Sequence, residues 1–287
     1  MITCHTISDL QQQLQDYRSE GKQVGFVPTM GYLHAGHASL LHNARQNNDI
    51  VVLSIFVNPL QFGVNEDLDR YPRNMQQDTE VARNSGVDII FAPTVEEMYP
   101  QQPLTKITVA QVTDLLCGAT RPGHFDGVGI VVTKLFHIVK PDRAYFGMKD
   151  AQQVAVVETI VRDLNMDVEI VRCPIIREPD GLALSSRNVY LSAEQRAQAV
   201  IISESLAYAE QLFLAKEMTG EQIVEQVRQK LQSASLARID YLQLLSYPQL
   251  KQIDLHDIPA HLEEQLLLAT AVYFGETRLI DNCLWEG

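Results

Sequence analysis

The stretch VGFVPTMGYLHAGHASL, residues 24–40, joins three local signals in an order that decides the fold. Val24–Val27 is a short apolar run of β-branched and aromatic side chains, the pattern of a buried strand. Pro28 to His37 follows as a turn punctuated by Gly31 and Gly36, and Ala38–Gln46 takes up helical spacing. A strand running through a glycine-containing turn into a helix is the first half of a β–α–β unit. Outward from it, Ile50–Val57 and Asp88–Phe91 repeat the strand signal, and Asn74–Asn84 reads as a helix closed by Ser85-Gly86. Val128–Ile138 and Ala151–Leu164 read as helices, Arg143–Phe146 and Asp167–Val171 as strands. The alternation predicts an α/β fold, a Rossmann-like parallel sheet with helices on both faces.

After Arg187 the pattern changes. Ser192–Ala215 and Thr219–Ser233 read as two long helices, with Ser192 as N-cap and Thr219 with Gln222 as a capping box. Ile239–Leu245, Gln265–Phe274 and Thr277–Leu284 read as strands, the last two joined at Gly275-Glu276. This is a smaller α+β C-terminal domain, so the chain is divided into residues 1–178 and 179–287.

Composition narrows the function classes. At 46% hydrophobic and 21% charged residues, the 287-residue chain can bury a substantial core, which excludes disordered and disulfide-stapled classes. The net charge is −13 and no two Lys or Arg residues adjoin. Residues 188–287 hold 7 basic against 14 acidic side chains. No nucleic-acid partner is expected of such a surface. Cys4, Cys117, Cys173 and Cys283 form no CxxC pair, which suits reduced thiols in a cytoplasmic protein. The N-terminus lacks a basic segment followed by an apolar one, and runs such as Ile50–Val57 cannot span a bilayer, so no membrane partner is expected.

The turn carries the chemistry. In an open parallel sheet, ligands bind outside the carboxyl ends of the strands, and a helix N-terminus there suits phosphate. His34 and His37 could donate hydrogen bonds to phosphate oxygens as charge builds in a transition state. The same pair could ligate a metal, although HExxH is absent and no third ligand stands nearby, or could simply cap the helix. Neither GxxxxGK[ST] nor a GxGxxG after the first strand is present, which excludes the P-loop and weakens a nicotinamide-dehydrogenase reading.

The string His34-Ala35-Gly36-His37 resembles the HxGH signature of the nucleotidyltransferases that include class I aminoacyl-tRNA synthetases. More narrowly, six strings in order resemble the pantothenate synthetase (pantoate–β-alanine ligase) family. They are PTMGYLHAGH (28–37), FVNPLQFG (56–63), RYPR (70–73), RPGHFDGV (121–128), AYFGMKDAQQ (144–153) and DGLALSSRN (180–188). The resemblance implies condensation of (R)-pantoate with β-alanine using ATP and Mg²⁺, through a pantoyl adenylate, with release of AMP and diphosphate.

It also implies roles for particular residues. His34, His37, Lys149, Ser185, Ser186 and Arg187 would be catalytic. Met30, Gly31, Tyr32, Leu33, Ala35, Gly36, Gly147, Met148, Asp150, Ile176 and Leu184 would join them around ATP. Gln61 and Gln153 would hold pantoate, with Pro28, Met30, Asn58 and Phe62 beside them; neutral amides orient a carboxylate without blunting its nucleophilicity. Mg²⁺ would bridge the ATP phosphates with few direct protein ligands. Glu66-Asp67-Leu68-Asp69 could offer a contact, but solvated loop carboxylates explain the run as well. Lys134 and His124-Phe125 carry structural and functional readings equally. Residues 179–287 would act as a lid, and a homodimer would be the assembly.

Three departures from the family pattern stand out: Met148 where Glu is usual, Leu60 where Thr is usual, and Gly129-Ile130 where small hydroxyl residues or Ala are common. Two other readings remain at this point: another nucleotidyltransferase of the same fold, or a non-enzymatic nucleotide binder. A cytidylyl or nicotinamide-nucleotide adenylyl transferase would not be expected to share the PLQFG and DAQQ strings. A tRNA synthetase relative should carry a basic appended domain, which the acidic C-terminal segment contradicts. A non-enzymatic nucleotide binder should have lost phosphate-binding residues, yet the His, Lys, Ser and Arg set is complete.

Overall fold

The computed structural model describes residues 1–63, 66–256 and 265–285. Internal contacts group it into two compact units. The first comprises Met1–Ala110, Arg121–Met148 and Val156–Pro174; the second comprises Gln111–Thr120, Lys149–Ala155 and Ile175–Gly287. Two segments that precede residue 178 in the sequence therefore group with the C-terminal residues.

The first unit is built on six parallel strands: β1 (Ile2–Cys4), β2 (Val24–Thr29), β3 (Ile50–Ile55), β4 (Ile89–Phe91), β5 (Arg143–Gly147) and β6 (Glu169–Cys173). Their spatial order is β1-β4-β3-β2-β5-β6. The helices α1 (Ile7–Ser19), α2 (Ala35–Asn47), α3 (Met75–Asn84), α4 (Val95–Met98), α6 (His124–Val139) and α7 (Ala151–Asp163) connect them, with α5 (Leu116–Thr120) falling in the second unit. From β2 the chain steps one way to β3 and β4, and from β5 the other way to β6. Right-handed crossovers then place α2 and α3 on one face and α1, α6 and α7 on the other. Val27, Leu41, Val51, Leu53 and Ile90 form the core beneath α2 and α3. Both carboxyl ends that flank the reversal, those of β2 and β5, lead into segments singled out in the sequence: residues 30–37 and Gly147-Met148.

The expected α/β sheet is present, with instructive differences at its margins. β1 and α1 carry no strong pattern: β1 has three residues, and α1 buries only Leu10 and Leu14. Thr6 nevertheless caps α1, accepting the Asp9 N–H at 3.1 Å. α2 starts three residues before the expected Ala38, because His34 is its N-cap. β6 starts at Glu169 rather than Asp167. A left-handed Asn165 and a turn bond from Val168 N–H to the Met166 carbonyl delay the extended backbone.

The second unit holds α8 (Ala193–Ala199), α9 (Ile201–Ala215) and α10 (Gly220–Gln232) against an antiparallel sheet of β7 (Ala237–Tyr247), β8 (Gln265–Phe274) and β9 (Thr277–Trp285). Ile202, Leu206, Ile223 and Val227 pack with Leu244, Leu266 and Leu268 in its core. Thr219 and Gln222 form the expected capping box, and Ser192 caps α8 as expected, with Gln195 completing a second box. The β8–β9 turn is the expected one, with Gly275 at φ +62°. The single helix expected over 192–215 is divided at Val200, although neither Gly nor Pro marks the break. No helix among the described residues is long and apolar enough to cross a membrane.

Candidate active site

The turn between β2 and α2 is held from three sides. Thr29 Oγ1 donates to the Ser54 carbonyl at 2.8 Å and accepts the Gly31 N–H at 3.2 Å. Gly31 sits at φ +84°, and a Cβ there would lie 3.0 Å from both Asp78 Oδ2 and Ile55 Cγ2. Asp78, 1% exposed, accepts the Tyr32 N–H at 3.0 Å and the Leu33 N–H at 2.6 Å. Burial pushes the Asp78 carboxyl above its usual range, against the two backbone bonds that favour its charge. Leu33 gives its side chain to the core and its carbonyl to Gln77 Nε2 at 3.2 Å, which makes it a strut of the turn.

The two histidines cap α2 reciprocally. His34 Nδ1 accepts the Gly36 N–H at 3.1 Å, and His37 Nδ1 accepts the His34 N–H at 3.3 Å. Their ring centroids are 4.1 Å apart. A neutral imidazole whose Nδ1 accepts must carry its proton on Nε2. The capping and phosphate-donor readings of the sequence are therefore compatible: the cap fixes the tautomer that makes each Nε2 a donor.

Gln61, which bonds Met30 of this turn, belongs to a cluster of buried neutral amides. Asn58, 1% exposed, caps the 3₁₀ turn Pro59–Gln61, and Gln61, 8% exposed, ends it. Asn58 Nδ2 donates to Gln61 Oε1 at 3.3 Å and to the Gly127 carbonyl at 3.0 Å, while Tyr99 donates its hydroxyl to Asn58 Oδ1 at 3.0 Å. Gln61 Nε2 donates to Met30 Sδ at 3.0 Å, so Met30 and Gln61 are brought together as expected. Phe62 packs edge-on against Tyr71.

The RPGHFDGV string supplies the clamp beneath Gln61. Arg121 pairs with Glu66 through Nε at 2.7 Å and Nη2 at 2.5 Å. Burial would raise the Glu66 carboxyl, but the Arg121 bonds and charge override it and hold it below its usual range. This ion pair accounts for the first member of the acidic run. Arg121 Nη1 lies 3.0 Å from His124 Nε2, and a guanidinium can only donate. His124 therefore carries its proton on Nδ1 and donates it to the Gln61 carbonyl at 2.8 Å. These contacts give His124 a structural role. Gly127 leaves room for the turn: a Cβ there would lie 2.3 Å from the Leu60 carbonyl oxygen and 2.6 Å from Gln61 N. Gly127→Ala should displace Gln61 and cost roughly 1–3 kcal/mol of stability. If Gln61 binds substrate as the sequence leads one to expect, steady-state kinetics should show about a tenfold rise in the KM for pantoate.

Other expected site residues belong to the second unit. Lys149 and Asp150 lie in the 3₁₀ turn Met148–Asp150 that follows β5, and Gln153 in the first turns of α7. Ile176 and Leu184 face each other across a tight hairpin, with the Leu184 N–H on the Ile176 carbonyl at 3.0 Å. Ser185 caps the 3₁₀ turn Ser186–Tyr190, its Oγ accepting the Arg187 N–H at 3.2 Å. Ser186 is buried and Arg187 partly so. Asp78 and Tyr99 were not singled out in the sequence. A first-turn Asp reads as a helix-dipole partner, and a lone Tyr near a short helix carries no signal. Among the described residues, no group of three or more His, Cys, Asp or Glu is gathered that could hold a metal ion.

Known proteins resemble this chain over nearly its whole length. The pantothenate synthetase of Acetivibrio thermocellus is 52% identical over 286 residues, covering 100% of both chains. The crystal structure of pantothenate synthetase from Thermus thermophilus matches with a TM-score of 0.91 at 44% identity over 99% of both chains. A pantoate-beta-alanine ligase from Francisella tularensis, crystallised with beta-gamma ATP and beta-alanine, matches with a TM-score of 0.78 at 34% identity, covering 99% of this chain and 97% of that one. The sequence pattern described as Pantoate-beta-alanine ligase matches residues 2–284. Matched by the family pattern over residues 2–284 and 52% identical to a relative along its whole length, the chain belongs to the pantoate-beta-alanine ligase family.

Proposed function

We propose that this chain condenses (R)-pantoate with β-alanine in two ATP-driven steps, as an AMP-forming ligase. In the first, a pantoate carboxylate oxygen attacks the α-phosphorus of ATP and diphosphate leaves. In the second, the β-alanine amine attacks the acyl carbon, the C–O bond to the phosphate breaks, and AMP departs. A carboxylate is a poor electrophile, and adenylation supplies the leaving group. The first step needs alignment and charge neutralisation more than a covalent nucleophile.

The observation that carries this reading is the reciprocal cap. It fixes His34 and His37 as Nε2 donors at a helix N-terminus, where the oxygens of a pentacoordinate phosphorus would gain charge. Lys149 is assigned as a point charge on the phosphates, and Ser185, Ser186 and Arg187 as hydroxyl and cationic donors to them. Gln61 and Gln153 orient pantoate, with Met30, Pro28 and Phe62 against its geminal methyl groups and Asn58 holding Gln61. Arg121 is no carboxylate clamp, since Glu66 balances its charge. Mg²⁺ is assigned to the ATP phosphates, with few direct ligands from the chain. Residues 1–178 are assigned to ATP and pantoate and residues 179–287 to the lid; the expected setting is a cytoplasmic homodimer.

The test is direct. Purified chain with Mg·ATP, pantoate and β-alanine should release AMP and diphosphate in equal amounts, with one pantothenate formed for each. Absence of diphosphate release from ATP and pantoate would contradict the reading. Diphosphate release with no condensation product from β-alanine would assign a different acceptor.

A further inference from the structure

We propose that Asp281 and Asn282, adjacent on β9, are positioning residues for the adenylation step. Asn282 acts through the backbone of Lys149, and Asp281 through the hairpin that precedes Ser185-Ser186-Arg187. This inference rests on the function proposed for Lys149 and the serine–arginine turn.

The two segments assigned to the phosphates are distant in sequence and lie in one compact unit. Lys149 stands in a three-residue 3₁₀ turn, where few backbone bonds define its direction. Asn282, 4% exposed, donates from Nδ2 to the Lys149 carbonyl at 3.1 Å. On the following helix, Gln152 Nε2 donates to the Val112 and Leu115 carbonyls, each at 2.8 Å, and the Tyr247 hydroxyl donates to the Ala151 carbonyl at 3.3 Å. Those bonds hold the helix after the lysine; Asn282 holds the lysine residue itself.

The second segment is anchored by the neighbouring side chain. Asp281, its side chain 1% exposed, accepts from Arg177 at 2.6 Å through Nη1 and at 3.1 Å through Nη2. Arg177 Nη1 also donates to the Gly181 carbonyl at 3.1 Å, which closes the hairpin from inside. The hairpin is further set by the Glu178 N–H on the Leu182 carbonyl at 2.8 Å and by the Leu184 bond to Ile176. It delivers the chain directly into Ser185. Asp281 Oδ1 also accepts the Asn282 N–H at 2.8 Å. One carboxylate thus fixes both the hairpin and the strand position from which Asn282 reaches Lys149. A bidentate carboxylate–guanidinium pair gives direction as well as strength. β9 lies at the edge of a three-stranded sheet, and a rigid strand is a more exact mount than a loop.

The experiment is a double-mutant cycle between Asn282 and Lys149, read as pantoate-dependent exchange of labelled diphosphate into ATP. Asn282→Ala should lower the maximal exchange rate about tenfold, the scale of one lost hydrogen bond. The KM for pantoate should stay within about twofold, since Gln61 and Asn58 are untouched. In a Lys149→Ala background the same change should cost less than about twofold, because the group being aimed is gone. Losses that multiply in the double variant, or an Asn282→Ala enzyme with wild-type exchange, would overturn the inference. Should Asn282→Ala not fold, Asn282→Thr keeps the strand preference while withdrawing the amide donor, and it is read the same way. A wild-type chain with no pantoate-dependent exchange would instead overturn the functional reading on which the inference rests.

Discussion

Replacing His37 by Ala should slow pantoate adenylation by about 10²–10³-fold, the cost of removing one preorganised donor from a site of developing charge. His37 has two tasks on opposite sides of its ring. Nδ1 accepts the His34 N–H, and Nε2 is left as the donor. His37→Ala removes both, so a loss of about 1 kcal/mol in stability should accompany the loss of rate. His37→Asn separates them. Its side-chain oxygen can take the place of Nδ1 in the cap, while nothing occupies the place of Nε2. The Asn variant should therefore melt with the wild type and turn over as poorly as the Ala variant. Single-turnover diphosphate release alongside thermal melting checks both halves. An Asn variant that recovers the rate would move the working atom away from Nε2, and a His37→Ala effect confined to the KM for pantoate would remove His37 from the chemistry.

Asp78→Asn should lower the adenylation rate by about 10²-fold, the scale expected when catalytic groups are misplaced by about 1 Å. The carboxylate receives two backbone N–H groups, from Tyr32 and Leu33, directly before the histidines. An amide can accept at only one end, and its NH₂ would face the other N–H. The turn must then shift, and α2 begins at a different angle. The stability effect has a different sign pattern. The folded-state pKa of Asp78 is raised, by burial first of all, so its contribution to stability is complete below the unfolded value and is lost as pH rises through the folded value. Burial makes the charged form of Asp78 a cost to stability, which the two backbone bonds offset only in part. Melting temperatures across the acid-to-neutral range should show this fall in the wild type and its disappearance in Asp78→Asn. A variant with unchanged rate would mean that the turn holds its shape without the carboxylate.

The β2–α2 turn was legible in the sequence because strand, turn and helix signals follow one another there without a gap. The histidines were legible as residue types, but their reciprocal cap was not. A His pair three residues apart is equally a ligand pair or a cap until the direction of each Nδ1 is known. Asp78 was hidden because its partners are more than 40 residues away in the sequence while its local setting is ordinary for a helix start. Asn282 and Lys149 are separated by 133 residues, and a strand asparagine carries no pattern of its own. β1 and α1 escaped for a different reason. A three-residue strand and a helix with two buried leucines give periodicity too little to act on, and their place is settled by pairing with β4. Motif-bearing residues that touch ligand are readable one at a time; the residues that aim them are known only once the chain has brought them together.

The central claim is that the pantoate carboxylate itself attacks the α-phosphorus. Pantoate labelled with ¹⁸O in both carboxylate oxygens, turned over with Mg·ATP and β-alanine, tests it at the level of single atoms. Direct attack leaves one ¹⁸O in the phosphate of each AMP and one in the amide carbonyl of the product. AMP free of label, with both ¹⁸O atoms absent from the nucleotide, would contradict it.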